Sequence, residues 1–237
     1  MTGLPAAAGA PATASAFELV PRAFWHTLLF SRKYRDHQAD APAIITHLYD
    51  LRSRETKPIA SDVAPRMKSA TGLFESRLDL FEKTEHPALK RLVAFIESSV
   101  RRAVHQANGG TIDSKRIRVE FKDSWFHITN DGGFHDAHIH SGCSWCGIYY
   151  LQISDVPANP SDHAPNGVNR FYSPLNAGGS VDDFGNLYLK NNFLDVPPTE
   201  GTLILFPSYL LHSALAYRGQ RDRVILSFNS TAHLNPV

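Results

Sequence analysis

A chain of 237 residues with 43% hydrophobic and 20% charged side chains has the composition of a globular protein with a sizeable core, and disorder throughout is excluded. Its 24 basic and 23 acidic residues leave a formal charge of +1 and alternate locally, so the broad basic face that nucleic acid or anionic lipid would need is missing. No apolar run approaches the roughly 18–20 residues of a bilayer span, and the N-terminus lacks the basic-then-apolar order of a signal peptide. Two closely spaced cysteines make no disulfide framework, so a cytoplasmic protein with reduced thiols is expected.

Residues 1–15 are almost all Ala, Gly, Pro, Thr and Ser, which predicts a disordered tail ahead of a single domain over 16–237. From Phe17 to Phe30 the chain is aromatic and β-branched and suits an opening strand or a segment docked on the core. The part from about 33 to 108 reads as helical. A shorter helix is expected over Ala43–Arg54, a loop over Glu55–Ala70 and a less definite segment over Leu73–Glu82. The clearest helix follows Pro87, where Leu89, Leu92, Val93, Ile96 and Val100 recur on one face, and Gly109-Gly110 should close it. Its basic pairs, Lys90-Arg91 and Arg101-Arg102, read as a solvated face.

After Gly110 the texture turns to β. Ile117–Phe121 alternates, Trp125–Ile128 follows, and Gly147–Leu151, Thr202–Phe206 and Arg223–Phe228 complete the set. Between Asp155 and Pro198 a loop-like stretch holds only short apolar islands, and it could act as a lid offering Arg170, Tyr172 and Tyr188 to a substrate or could equally be a plain surface connection. Helices first and strands second predict an α+β layout with helices bracing one side of a β-barrel or sandwich.

The chemistry concentrates in Phe134-His135-Asp136-Ala137-His138-Ile139-His140. On a strand His138 and His140 share a face and could chelate a metal, although 12 random histidines would already yield about 0.6 His-x-His pairs. His212, after the apolar strand that ends at Ser208, can supply a third ligand and leave coordination positions open for oxygen chemistry. His135 and Asp136 are substitutes for His140, and regular alternation puts only Asp136 on the face of His138. Farther on, Arg223, Ile225 and Ser227 share one face of a strand. An arginine turned into a barrel requires an anion, and a dicarboxylate would supply it through a bidentate fork.

In Ser124-Trp125, His138-Ile139-His140, Trp145 to Leu151, Gly201 to Ser208, His212, and Arg221-Asp222-Arg223 to Phe228-Asn229, about half the chain in order, the sequence resembles the bacterial 2-oxoglutarate/Fe(II) oxygenases that carry His-x-His in place of His-x-Asp/Glu. The resemblance implies a double-stranded β-helix (a cupin-like jelly roll) over about 111–237. It also implies Fe(II) on His138, His140 and His212, and 2-oxoglutarate with its far carboxylate on Arg223. By analogy with prolyl-hydroxylase-like members, Tyr150 would bond the same carboxylate and Ser227 would assist. The implied activity is O2-dependent oxidation, with hydroxylation the default, of a small molecule such as an amino acid or natural-product precursor, 2-oxoglutarate being decarboxylated to succinate. The imidazole of His140 in place of a carboxylate lowers the ligand charge. Since the family favours a small residue at Cys146, the pair Cys143/Cys146 reads as packing, open to oxidation near iron. Two other readings stay open: a three-histidine cupin-type dioxygenase without 2-oxoglutarate, and a metal-binding jelly roll without turnover.

Overall fold

The computed structural model describes residues 27–55, 71–154, 165–175 and 192–235. The predicted tail 1–15 and Tyr188 lie outside the described residues, as do most of the expected Glu55–Ala70 loop and much of 155–198.

Among the described residues ten strands form two antiparallel sheets. The strands are β1 (Phe30–Lys33), β2 (Leu73–Glu75), β3 (Ile117–Thr129), β4 (Gly133–His138), β5 (Trp145–Gln152), β6 (Asn169–Tyr172), β7 (Phe193–Val196), β8 (Thr202–Pro207), β9 (His212–Tyr217) and β10 (Arg223–Leu234). The larger sheet runs β1-β8-β5-β10-β3-β2 and the smaller β4-β9-β6-β7, the double-stranded β-helix that the resemblance implied. Three described helices precede the core strands: α1 (His37–Arg54), α2 (Leu80–Lys83) and α3 (Pro87–Ala107). None of them is long and apolar enough to cross a membrane.

Helix α3 follows its sequence signals closely. Leu89, Leu92, Ile96 and Val100 are fully buried, Pro87 occupies the first turn, and the His86 ring accepts from the Leu89 amide as N-cap. The helix ends where Gly109 and Gly110 take φ of 65° and 73°, and Gly110 N–H closes onto the His105 carbonyl. Helix α1 starts six residues before the predicted Ala43, carrying Pro42 within it. Its early turn is held by tertiary bonds that periodicity does not reveal: buried Asp40 accepts from Tyr34 Oη at 2.6 Å and pairs with Arg91 of α3. Arg91 therefore belongs to an interhelical ion pair.

Strand alternation decides where the site can lie. Phe126, Ile128, Tyr149, Leu151, Val224, Leu226 and Phe228 pack with α1 and α3 in the main core, whereas Cys146, Ile148, Tyr150 and Ile225 face the smaller sheet. The helices thus cover one face of the large sheet and free the other to line an interior. The two segments expected at Ile117–Phe121 and Trp125–Ile128 are one strand, β3, with a register shift opposite Asn229/Ser230 that leaves Lys122 as the extra residue. At its end Asp131 (φ 51°) and Gly132 (φ 84°) form a tight turn closed by Gly133 N–H to Asn130 O at 2.7 Å. This turn carries the chain from the large sheet to β4 in the small one, so the histidine cluster folds back over the interior face of β3.

Candidate metal centre and co-substrate pocket

Within the small sheet β4 pairs with β9 so that His138 stands directly opposite His212. His140 follows two residues after His138, its amide donating to the Ser208 carbonyl at 3.1 Å. The candidate ligand atoms of His138, His140 and His212 all lie within 4.8 Å of one another, close enough for one ion. Two of the rings are oriented by the backbone. His138 Nδ1 lies 2.7 Å from the Asp136 carbonyl and His212 Nδ1 2.9 Å from that of Leu210, so each ring donates through Nδ1 and leaves Nε2 as the inward lone pair.

Electrostatics fit the same use. Burial lowers the pKa of His138 and His212, and it takes His140 down to about 4, with the neighbouring His138 charge adding to the effect. The imidazoles are therefore neutral at ordinary pH, the form in which they ligate a cation.

Around His140, Asp136 and His135 the backbone departs from regular alternation. Register shifts on either side of His135 turn that ring inward, while Asp136 is exposed with its carboxylate on the Ala137 amide at 2.7 Å. The irregular pairing leaves Asp136 outside the group of converging side chains, which is His138, His140 and His212. His135 packs on His138 at a ring separation of 4.2 Å and stands in a second polar group with His127 and Glu75. Glu75 Oε2 is 2.8 Å from His127 Nε2, which also lies 3.0 Å from the Trp125 indole nitrogen. With a proton on Nε2 the ring donates to the carboxylate; without one it accepts from the indole. Burial, then the charges of His138 and His127, pull His135 down to about 3.

On the other side of the interior Arg223 is 2% exposed. Its Nη2 donates to Asn169 Oδ1 at 2.6 Å, Tyr150 Oη donates to the same oxygen at 2.8 Å, and Nε has no partner. No carboxylate pairs with Arg223 among the described residues. Burial lowers its pKa and raises that of Tyr150 to about 12. A buried guanidinium with an unused donor is the orphaned polar group that an anionic ligand would satisfy, so these residues fit a diacid. Ser227, farther along the same face of β10, lines the same interior.

A cavity of about 760 Å³ connects the two groups and is lined by all three histidines, Asn169, Ile225, Ser227, Trp125 and Glu75. Arg223 itself does not line it, because the Asn169 side chain closes over the guanidinium. Asn169 and Glu75 were not picked out from the sequence. Asn169 sits on β6 two residues before Phe171, and reading that island as a strand would have put both on one face. Glu75 belongs to a strand of three residues, too short to give a pattern. Arg170 is not available to a substrate: its guanidinium forms a fork on Asp195 of β7 at 2.7 and 2.8 Å and covers Phe193. Tyr172 reaches Ser213 at 3.3 Å.

The sheets, the interior triad and the buried arginine define a jelly-roll protein of the kind that holds a metal between its sheets. Solved structures of similar fold include a Pseudomonas putida prolyl-4-hydroxylase (14% identity, TM-score 0.56, covering 88% of this chain and 93% of that one). A Trichoplax adhaerens prolyl hydroxylase in complex with a hypoxia-inducible-factor peptide is similar at 15% identity and TM-score 0.56, over 85% of this chain and 83% of that one. HygX from Streptomyces hygroscopicus, with nickel, 2-oxoglutarate and hygromycin B bound, is similar at 13% identity and TM-score 0.52, over 86% and 83%. At these identities the likeness carries the fold. No curated relative matches. Residues 123–229, the segment with both the triad and Arg223, match the family described as "Putative 2OG-Fe(II) oxygenase". This segment, less than half of the 237 residues, is thus similar to the 2-oxoglutarate/Fe(II) oxygenases, a family whose cofactors are Fe(II), 2-oxoglutarate and O2.

Proposed function

We propose that the chain is a dioxygenase that hydroxylates a small molecule, with His138, His140 and His212 holding Fe(II) and with Arg223, Tyr150 and Asn169 holding the far carboxylate of 2-oxoglutarate. The observation that carries this reading is the convergence of three neutral imidazoles on a single cavity, with a buried, under-satisfied guanidinium hydrogen-bonded to Asn169 in its wall. When bound, iron and 2-oxoglutarate supply with O2 the oxidising chemistry, and succinate is the co-product.

The roles of the chain's own groups follow from their partners. The Asp136 and Leu210 carbonyls keep the proton on Nδ1 of His138 and His212, so that Nε2 faces the metal. Arg223 offers Nε and Nη2 to an incoming carboxylate, and Tyr150 Oη adds a third donor as Asn169 Oδ1 is released. Ser227 stands on the same face of β10 and assists. Ile148, Ile225 and Phe206 keep the wall between the groups apolar and exclude water from it.

Ile139 and Leu211 line the cavity and are exposed, which suits them to a substrate entrance. Peptide and small-molecule complexes both occur among the similar structures. A cavity of about 760 Å³, shared with the co-substrate, favours a small molecule here. The test is a screen of amino acids and related compounds with iron-loaded protein under air, following succinate release. Substrate-dependent succinate with a product heavier by one oxygen supports the reading. Oxidised product without 2-oxoglutarate consumption would replace it with the three-histidine dioxygenase.

A further inference from the structure

We infer that Cys143 and Cys146 form a redox-active dithiol, closing to a disulfide by exchange with a small-molecule disulfide. Their sulfurs lie 3.8 Å apart, Cys143 part-exposed and Cys146 buried at the cavity wall. Bridging requires these sulfurs to close to the roughly 2.05 Å of a disulfide bond. The pair divides the labour of exchange: the accessible sulfur meets the reagent and the buried one resolves the intermediate.

Cys146 Sγ donates to Asn229 Oδ1 at 3.3 Å while Cys143 is a thiol. When Cys143 ionises, that S–H turns to the Cys143 sulfur, and this bond holds Cys143 below the usual thiol range while it pushes Cys146 up. The Cys143 thiolate attacks one sulfur of the reagent, the reagent's S–S bond breaks, and one thiolate leaves. The Cys146 sulfur, losing its proton to solvent, then attacks Cys143 and expels the second thiolate. Two electrons pass from the protein sulfurs to the reagent, which departs as two thiols.

The pair is tied to the triad through Ser208. The Cys143 carbonyl accepts from Ser208 Oγ at 2.7 Å, the Ser144 carbonyl from the Ser208 amide at 3.0 Å, and the Ser208 carbonyl from the His140 amide at 3.1 Å. Closing the disulfide pins the segment after His140 to β5 and stiffens this unit.

The test incubates the full metal-free chain in glutathione buffers of graded redox poise, followed by alkylation and mass analysis. Expected are joint loss of both thiols in the wild type, a glutathione adduct on Cys143 in Cys146→Ser, and unreacted Cys146 in folded Cys143→Ser. Amide exchange at His140 should be several-fold slower in the oxidised form. A stable glutathione adduct in the wild type, or thiols that never react, would overturn the dithiol; unchanged exchange at His140 would overturn its link to the triad. Neither readout depends on metal or turnover, so failure here leaves the proposed oxygenase function standing, and the converse also holds.

Discussion

Replacing Arg223 by Leu separates binding from folding. The guanidinium is buried, spends one hydrogen bond on Asn169 and leaves Nε unused, so the metal-free protein carries a charge without an anion. Exchanging such a charge for an apolar side chain is often neutral or stabilising by about 1–4 kcal/mol. For 2-oxoglutarate the same change removes two charge-assisted donors, each worth about 1.5–3 kcal/mol, and the affinity should fall by roughly 100-fold or more. The assay is an anaerobic titration of iron-loaded protein with 2-oxoglutarate, followed by the visible charge-transfer band, beside urea unfolding of the metal-free protein. Unchanged 2-oxoglutarate affinity would refute the assignment of Arg223. A metal-free variant weakened by several kcal/mol would show instead that the arginine is already compensated.

Three further outcomes are expected. His212→Ala should abolish stoichiometric iron binding, measured by metal analysis after desalting, while leaving the metal-free fold within about 1–2 kcal/mol, since it removes a ring that was costly to bury. Asn169→Ala leaves Tyr150 Oη and Arg223 Nη2 without their acceptor, so the protein without co-substrate should lose about 1–3 kcal/mol and regain much of it with saturating 2-oxoglutarate in thermal unfolding. For pH, folded His140 and His135 titrate near about 4 and about 3, below the unfolded value of 6.5. The unfolded chain then binds protons first as pH falls; the stability is whole above about pH 6.5 and is lost on the way down through those folded values. Urea unfolding of the metal-free protein should give a lower free energy at pH 5 than at pH 7 by about 1–4 kcal/mol, and a rise or a flat profile would contradict the burial of these rings.

What the sequence disclosed and what it hid have physical causes. Period-2 alternation was enough to put Arg223, Ile225 and Ser227 on one face of β10, although its pairing with β5 shifts between Val224 and Ile225; Tyr150 came from the resemblance alone. It misjudged β4, where irregular pairing with β9 reverses His135 and Asp136, since a bulge leaves no mark on hydrophobic pattern. Periodicity found α3, whose apolar stripe is complete. It cut α1 short because the first turns are fixed by Asp40 with Tyr34 and Arg91, partners that no local pattern reveals. Asn169 was hidden by its setting: β6 has four residues in a stretch of loop-like composition, and its role comes from Arg223 of β10 and Tyr150 of β5 in the other sheet.

The central claim is tested most directly by a crystal structure of the chain grown anaerobically with Fe(II) and 2-oxoglutarate. The account predicts one iron at about 2.1 Å from Nε2 of His138, His140 and His212, with the far carboxylate of the diacid on Arg223. Iron seated instead on Glu75, His127 and His135, or the diacid bound away from Arg223, would contradict it.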